Sequence, residues 1–159
     1  VEAPDAEWDF YAGWAYDFND SFNMDLSYAY YSYYYGDEGS SDYGEIIGKF
    51  SMTDIATLTV AYTNNYSNLD GAATYVNLGN SWDLGNGYSI SAGFGRTSSS
   101  LENNDGLLDY NDWTIGFEKS IGMLTIGLSY FDTDLPSDYF EPYRDQASNS
   151  VVLSFKIEN

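Results

Sequence analysis

The chain has 159 residues, and its 25 acidic side chains against 5 basic ones give a formal net charge of −20. Such an acidic surface repels phosphate backbones, so we do not expect nucleic-acid binding. High charge with low hydrophobicity is typical of disorder, but 19% of the residues are aromatic, 17 of them Tyr, and disordered chains lack such residues. The sequence therefore predicts one folded domain over residues 1–159.

Enzymatic chemistry is not expected. The chain contains neither His nor Cys, which excludes catalytic triads and imidazole or thiolate metal sites. Close carboxylate pairs such as Asp132 and Asp134 are expected by chance at this acid content. No apolar run approaches the roughly 20 residues of a membrane-spanning helix.

Apolar residues alternate with small or polar ones along the whole chain, which predicts nine strands. In chain order, their apolar positions are Trp8, Phe10, Ala12, Trp14, Tyr16 and Phe18; Phe22, Met24, Leu26, Tyr28 and Tyr30; Ile46, Phe50 and Met52; Leu58, Val60 and Tyr62; Val76, Leu78, Trp82 and Leu84; Tyr88, Ile90, Ala92 and Phe94; Trp113, Ile115 and Phe117; Leu124, Ile126, Leu128 and Tyr130; and Val151, Leu153, Phe155 and Ile157. Strands of about ten residues are long enough to cross a bilayer at a tilt.

The opposite face of these strands is rich in Gly, Ser and Thr, as at Ser91, Gly93, Gly116 and Gly127. A barrel in lipid turns apolar residues outward and lines its interior with small polar ones. The connections alternate between short turns, such as Asn86-Gly87, and long acidic loops, as in outer-membrane barrels. We therefore predict an all-β fold, an antiparallel up-and-down transmembrane β-barrel in the outer membrane of a Gram-negative bacterium.

The strand count predicts that this barrel is incomplete. With the long loops outside, nine strands within residues 7–157 place the start of the chain outside, whereas bacterial barrels usually have an even number of strands. Residues 1–6 are then the remnant of an outer loop. The open sheet edges would pair with missing N-terminal strands or another chain, and the barrel would have ten or twelve strands.

Several stretches resemble the TorF-type porin family, and the resemblance covers essentially the whole chain. They are FYAGWAYDFNDSFNMDLSYAYYSYYYGDEGSSDYGEIIGKF, DLGNGYSISAGFG, DYNDWTIGFEKSIGMLTIGLSYFDTDL and SNSVVLSFKIEN. The resemblance implies an outer-membrane location, a channel role and three further strands ahead of Glu7, but no particular solute. The chain departs from the usual aromatic C-terminus, because Lys156, Ile157, Glu158 and Asn159 follow Phe155.

The alternation also assigns charged and aromatic residues to the two faces. The predicted pore-lining residues are Asp9, Asp17, Asp25, Glu45, Lys49, Asp83, Glu118 and Lys156, with Tyr31, Tyr33 and Tyr35 near the mouth. Six of these eight charges are acidic, which favours cations. An ion pair across the lumen is the structural alternative for Glu45 and Lys49.

Aromatic residues at the strand ends predict an interfacial girdle, formed by Trp8, Trp14, Tyr28, Tyr30, Tyr34, Trp82, Trp113 and Tyr130. A sugar-binding platform and an aggregation-prone ladder are the alternatives for the tyrosine run. Calcium, the one cofactor considered, would need oxygen ligands such as Asp105, Asp109, Asp132, Asp134 and Asp138. No twelve-residue calcium loop is present, so a solvated acidic surface is the favoured interpretation.

Three functions stay open at this point. The first is a passive pore for small solutes, and the second is a non-conducting scaffold or surface-binding protein in the outer membrane. The third is a soluble all-β carbohydrate-binding module. A detergent requirement separates the third function from the other two.

Overall fold

A computed structural model describes residues 5–36, 40–68, 70–100, 109–135 and 149–158. The described chain forms nine β-strands: β1 (Ala6–Asn19), β2 (Phe22–Tyr34), β3 (Ser40–Met52), β4 (Ala56–Thr63), β5 (Ala73–Gly85), β6 (Tyr88–Ser99), β7 (Tyr110–Ile121), β8 (Leu124–Thr133) and β9 (Ser150–Ile157). A single-turn 3-10 helix (Tyr66–Asn68) lies between β4 and β5. In the part of the chain that the structure describes, no helix is both long enough and apolar enough to cross a membrane.

The strands follow one another in a single antiparallel sheet in the order β1 to β9, which confirms the predicted up-and-down topology. In this order β1 and β9 are the two end strands. Nearly all of β1 and all of β9 are exposed, on both faces.

The short turns form where the sequence supplies residues that accept positive φ. Gly85, Asn86 and Gly87 have φ values of 81°, 54° and 74° between β5 and β6, as the Asn-Gly pair predicts. A Cβ on Gly87 would lie 2.6 Å from the Ser120 carbonyl oxygen, and the Ser120 amide donates to the Gly87 oxygen at 2.7 Å. Glycine is therefore required here for both conformation and close approach.

The internal contacts group into two compact units. The first comprises Val1–Thr53, Leu58–Val76 and Thr97–Asp109, and the second comprises Asp54–Thr57, Asn77–Arg96 and Tyr110–Asn159. In the first unit Ala29 is 8% exposed, whereas Leu26, on the other face of the same strand, is 46% exposed. Small residues are buried in this unit and bulky apolar ones are exposed.

The second unit repeats this inversion. Gly95, Gly116 and Gly127 are buried, and Phe94, on the opposite face from Gly95, is 54% exposed. A Cβ on Gly116 would collide with the Ser91 hydroxyl and lie 3.1 Å from that of Ser129. The small-residue face is thus closely packed, and the predicted outward direction of the bulky apolar residues agrees with their exposure.

Candidate functional site

In each unit, exposed apolar residues lie side by side on neighbouring strands. In the second unit Phe117, Leu128 and Leu153 form one row across β7, β8 and β9, and all three are exposed. In the first unit Trp14 is 60% exposed and lies directly opposite Leu26. Large contiguous apolar surfaces are typical of sites at which a protein contacts another protein or a membrane.

The residues predicted to form a girdle lie on this apolar face. Trp8, Trp14, Tyr28, Tyr30, Tyr34, Trp82 and Tyr130 are exposed, and Trp113 is partly buried. Along β1 an aromatic ladder runs to the β1–β2 turn. Its successive ring centroids, from Trp14 through Tyr16 and Phe18 to Phe22, are 5.4, 5.0 and 4.9 Å apart. These positions suit interfacial contact, but the girdle role stays a prediction.

A lysine borders the apolar face near the β5–β6 turn. The Lys119 ammonium lies 3.7 Å from the centroid of the Tyr88 ring and donates to the Asn86 carbonyl oxygen at 2.5 Å. The Tyr88 ring also packs against Phe117, with centroids 5.7 Å apart. The lysine stem thus lies along apolar surface while its charge is held at the turn, as is common for lysines at an apolar–polar boundary.

The predicted inner charges are distributed among several environments. Asp25 lies directly opposite Lys49, while Asp9 and Asp17 lie exposed on the end strand β1. Asp83 accepts a hydrogen bond from the Gly85 amide at 2.7 Å, and Glu118 lies opposite Gly127. Lys156 forms an exposed ion pair with Glu158 at 2.8 Å. The pore-lining role of these residues stays a prediction.

Acids and tyrosines come together on the small-residue face of the first unit. Asp9, Tyr31 and Tyr43 form one row across β1, β2 and β3. The Tyr31 and Tyr43 ring centroids are 5.0 Å apart, and Tyr31 also hydrogen-bonds to Glu45. Tyr33 stacks on Tyr43 with centroids 6.3 Å apart.

Sequence analysis missed two members of this cluster, Tyr43 and Tyr66. The Tyr66 ring reaches Tyr43 from the β4–β5 connection, with centroids 5.4 Å apart. The parity of β3 could have identified Tyr43, because it shares a face with Glu45. Tyr35 lies just after the end of β2 and is partly buried.

A cavity of about 350 Å³ lies beside this cluster in the first unit. Its lining residues include Asp9, Tyr11, Ala29, Tyr31 and Ile47. Ile47 lies on the same face of β3 as Glu45 and contributes an apolar wall to the cavity. The cavity combines a carboxylate with aromatic and aliphatic surface.

The proposed calcium ligands are only partly described. Asp105 and Asp138 lie outside the described residues. Within residues 5–36, 40–68, 70–100, 109–135 and 149–158, no cluster of three or more acidic side chains is arranged to hold a metal ion. Asp109 accepts from the Ser99 amide and Asp132 from the Tyr130 hydroxyl. Each of these two carboxylates thus accepts a hydrogen bond from the protein.

Asp134 directly follows β8 and is hydrogen-bonded to Asn111 at the start of β7. Its carboxylate accepts hydrogen bonds from the Asn111 amide and the Asn111 side chain, both at 2.6 Å. Arg96 donates to the Asn111 side-chain oxygen at 3.2 Å. The pKa of Asp134 is lowered below its ordinary value of 3.8, chiefly because the Asn111 backbone amide donates to the carboxylate. The hydrogen bond from the Asn111 side chain has the next largest effect, and the nearby Arg96 charge has the smallest.

We expect the Asp134 contact to be pH-dependent. A carboxylate with a lowered folded-state pKa stabilises the fold above its unfolded pKa, and this contribution is lost as the pH falls through the folded value. Carbon NMR of the Asp134 carboxyl should give a titration midpoint below 3.8. In Asn111→Ala the midpoint should rise only partway, because the backbone amide still donates. An ordinary midpoint in the parent protein would contradict this assignment.

Together these features define an all-β protein with an antiparallel meander sheet whose bulky apolar face is exposed. Over residues 1–157 the chain matches the family described as "Bacterial protein of unknown function (Gcw_chp)", and it belongs to that family. No curated protein and no solved structure matches the chain.

Proposed function

We propose that this chain belongs to an outer-membrane β-barrel of a Gram-negative bacterium, acting as a narrow, passive, cation-preferring pore. The observation that carries the proposal is the inverted sheet, with Trp14, Leu26 and Phe94 exposed and Gly95, Gly116 and Gly127 buried. In water such a face would need a covering layer, whereas lipid solvates it.

The strand lengths support the same proposal. The described strands have 8–14 residues, and a tilted strand needs about 9–11 residues to cross a bilayer. Because lipid cannot satisfy free backbone groups, spanning strands occur in closed barrels. The resemblance of the strand and turn phrases to TorF-type porins points in the same direction.

Membrane insertion requires partners for the two end strands. An unpaired strand edge in lipid leaves a row of amides and carbonyls without hydrogen bonds. We therefore propose that β1 and β9 each pair with strands beyond these residues, with another chain, or with each other. Their exposure on both faces is what such pairing would remove.

Cation preference follows from the charges on the small-residue face. Six of the eight predicted inner charges are carboxylates: Asp9, Asp17, Asp25, Asp83, Glu45 and Glu118. A narrow passage surrounded by low-dielectric walls focuses their field and raises the local cation concentration.

The test is a planar-bilayer recording of the full-length gene product under a potassium chloride gradient. The reversal potential should show preference for potassium over chloride, and the preference should weaken as salt screens the charges. Anion preference would refute the charge assignment. Absence of conductance from an inserted barrel would favour the non-conducting scaffold, and a monodisperse protein without detergent would refute both membrane functions.

A further inference from the structure

The connection between β4 and β5 contacts the small-residue face of the first unit through Tyr66. We call residues 64–68 and 70–72 the tyrosine loop. Its Tyr66 ring contacts Tyr43, which lies on the same face as Tyr31, Tyr33 and Glu45. The tyrosine loop lies at the same end of the sheet as the last residue of β2 and the first residue of β3, because the strands alternate in direction.

Hydrogen bonds give the tyrosine loop a defined conformation. The Tyr66 amide donates to the Gly71 carbonyl oxygen at 2.8 Å. Asn65 accepts from the Asp70 amide at 2.9 Å and donates to the Asn68 side chain at 3.1 Å. Asn68 and Asp70 have φ values of 59° and 57°, a region that Asn and Asp tolerate.

Both ends of the tyrosine loop are anchored to the sheet. Thr63, which is 2% exposed, accepts a hydrogen bond from the Asn65 amide at 3.2 Å. At the other end Ala72 exchanges two hydrogen bonds with Ser100, at 2.9 and 3.0 Å. The neighbouring Gly71 and Ala73 are buried. The loop is therefore packed at the positions where it meets β4 and β5.

Carboxylates adjoin the tyrosine rings. Tyr33 hydrogen-bonds to Glu7 and Tyr31 to Glu45, and Asp9 lies directly opposite Tyr31. Aromatic faces and carboxylates both attract cations, while the rings restrict the space that a solute can use.

We propose that Tyr66 of the tyrosine loop, packed on Tyr43, forms with Tyr31 and Tyr33, which pack on the same Tyr43 ring, the constriction that selects solutes by size and charge. This inference rests on the proposed pore and deepens it by assigning the selecting residues. The solutes it admits are small cations and small neutral polar molecules. Bulky solutes and anions are rejected by the rings and the adjoining carboxylates, respectively.

Single-channel conductance of the full-length protein tests the constriction. Tyr66→Ala should raise the conductance by roughly a factor of two, because a ring leaves the passage. Tyr66→Phe, which keeps the ring, should leave it unchanged. Tyr62→Ala is the matched control. Tyr62 lies in β4, just before the tyrosine loop, but its side chain is exposed on the apolar face. Equal conductance of Tyr66→Ala and the parent protein would overturn the proposal.

A spin label separates failure of this inference from failure of the pore. The chain contains no cysteine, so Asn64→Cys places one label at an exposed position of the tyrosine loop. The label should be motionally restricted, and Tyr43→Ala or Tyr66→Ala should mobilise it. If the protein conducts but the label is mobile from the start, the docked constriction is wrong and the pore stands. If no variant conducts, the pore and the constriction both fail, whatever the label shows.

Discussion

Replacing Leu128 by arginine should remove about 2–4 kcal/mol from the unfolding free energy of the membrane-inserted protein. Leu128 lies near the middle of β8, between the apolar side chains Phe117 and Leu153 of the flanking strands. It is exposed, so in the proposed barrel it would face the centre of the bilayer. A charge there must be buried in hydrocarbon or must distort the lipid around it.

The matched control is Ile121→Arg. Ile121 is another exposed aliphatic residue, but it is the last residue of β7 and adjoins the short turn. Near the interface an arginine should cost about 0–1 kcal/mol. Urea unfolding from lipid vesicles measures both variants against the parent protein. Equally small losses at the two positions would mean that this face meets water, and the membrane assignment would fall.

The nine strands could be predicted because their pattern has a single physical cause. A strand directs successive side chains to opposite faces, so a sheet with one apolar face and one small-residue face shows a period of two. The Asn86-Gly87 pair predicts one turn, and the positive φ values of Gly85, Asn86 and Gly87 agree with that prediction. The residue-to-face assignment followed from the same alternation, and the exposure of Leu26 and Phe94 agrees with it.

Alternation cannot predict contacts that loops make with the sheet. Tyr66 lies in a connection without periodicity, so nothing in its neighbours indicates that its ring packs on Tyr43. Similarly, Asn111 contacts Asp134 because the start of β7 lies beside the end of β8. That placement depends on the register of the two strands. The sequence identified Tyr31 and Tyr33 as inner residues but could not supply their hydrogen-bond partners.

The face of Lys119 illustrates a second limit. Lys119 lies two residues after Phe117 in β7, so the two side chains are on the same, apolar face. A charged residue on that face is an exception to the period-two pattern. The structure shows that the ammonium reaches the Asn86 carbonyl oxygen while contacting the Tyr88 ring. Length and flexibility of the side chain, rather than alternation, decide where its charge resides.

The second large effect concerns ion selectivity. Changing Asp25 to Asn and Glu45 to Gln together should reduce the preference for potassium over chloride severalfold in the conducting full-length protein. Asp25 lies opposite Lys49, so its neutralisation leaves a positive charge without its cross-strand partner. Glu45 adjoins the tyrosine constriction through its hydrogen bond with Tyr31. Both changes therefore make the proposed lumen less negative where ions pass.

The matched control removes two charges from the short turns, by Asp20→Asn and Asp54→Asn. Both aspartates are exposed, and Asn tolerates the φ of 60° at position 54. Because exposed charges are screened by salt while lumen charges are screened less, this control should shift the reversal potential only slightly at 0.1 M salt and above. A larger shift from the turn variants than from the lumen variants would contradict the assignment of Asp25 and Glu45 to the pore.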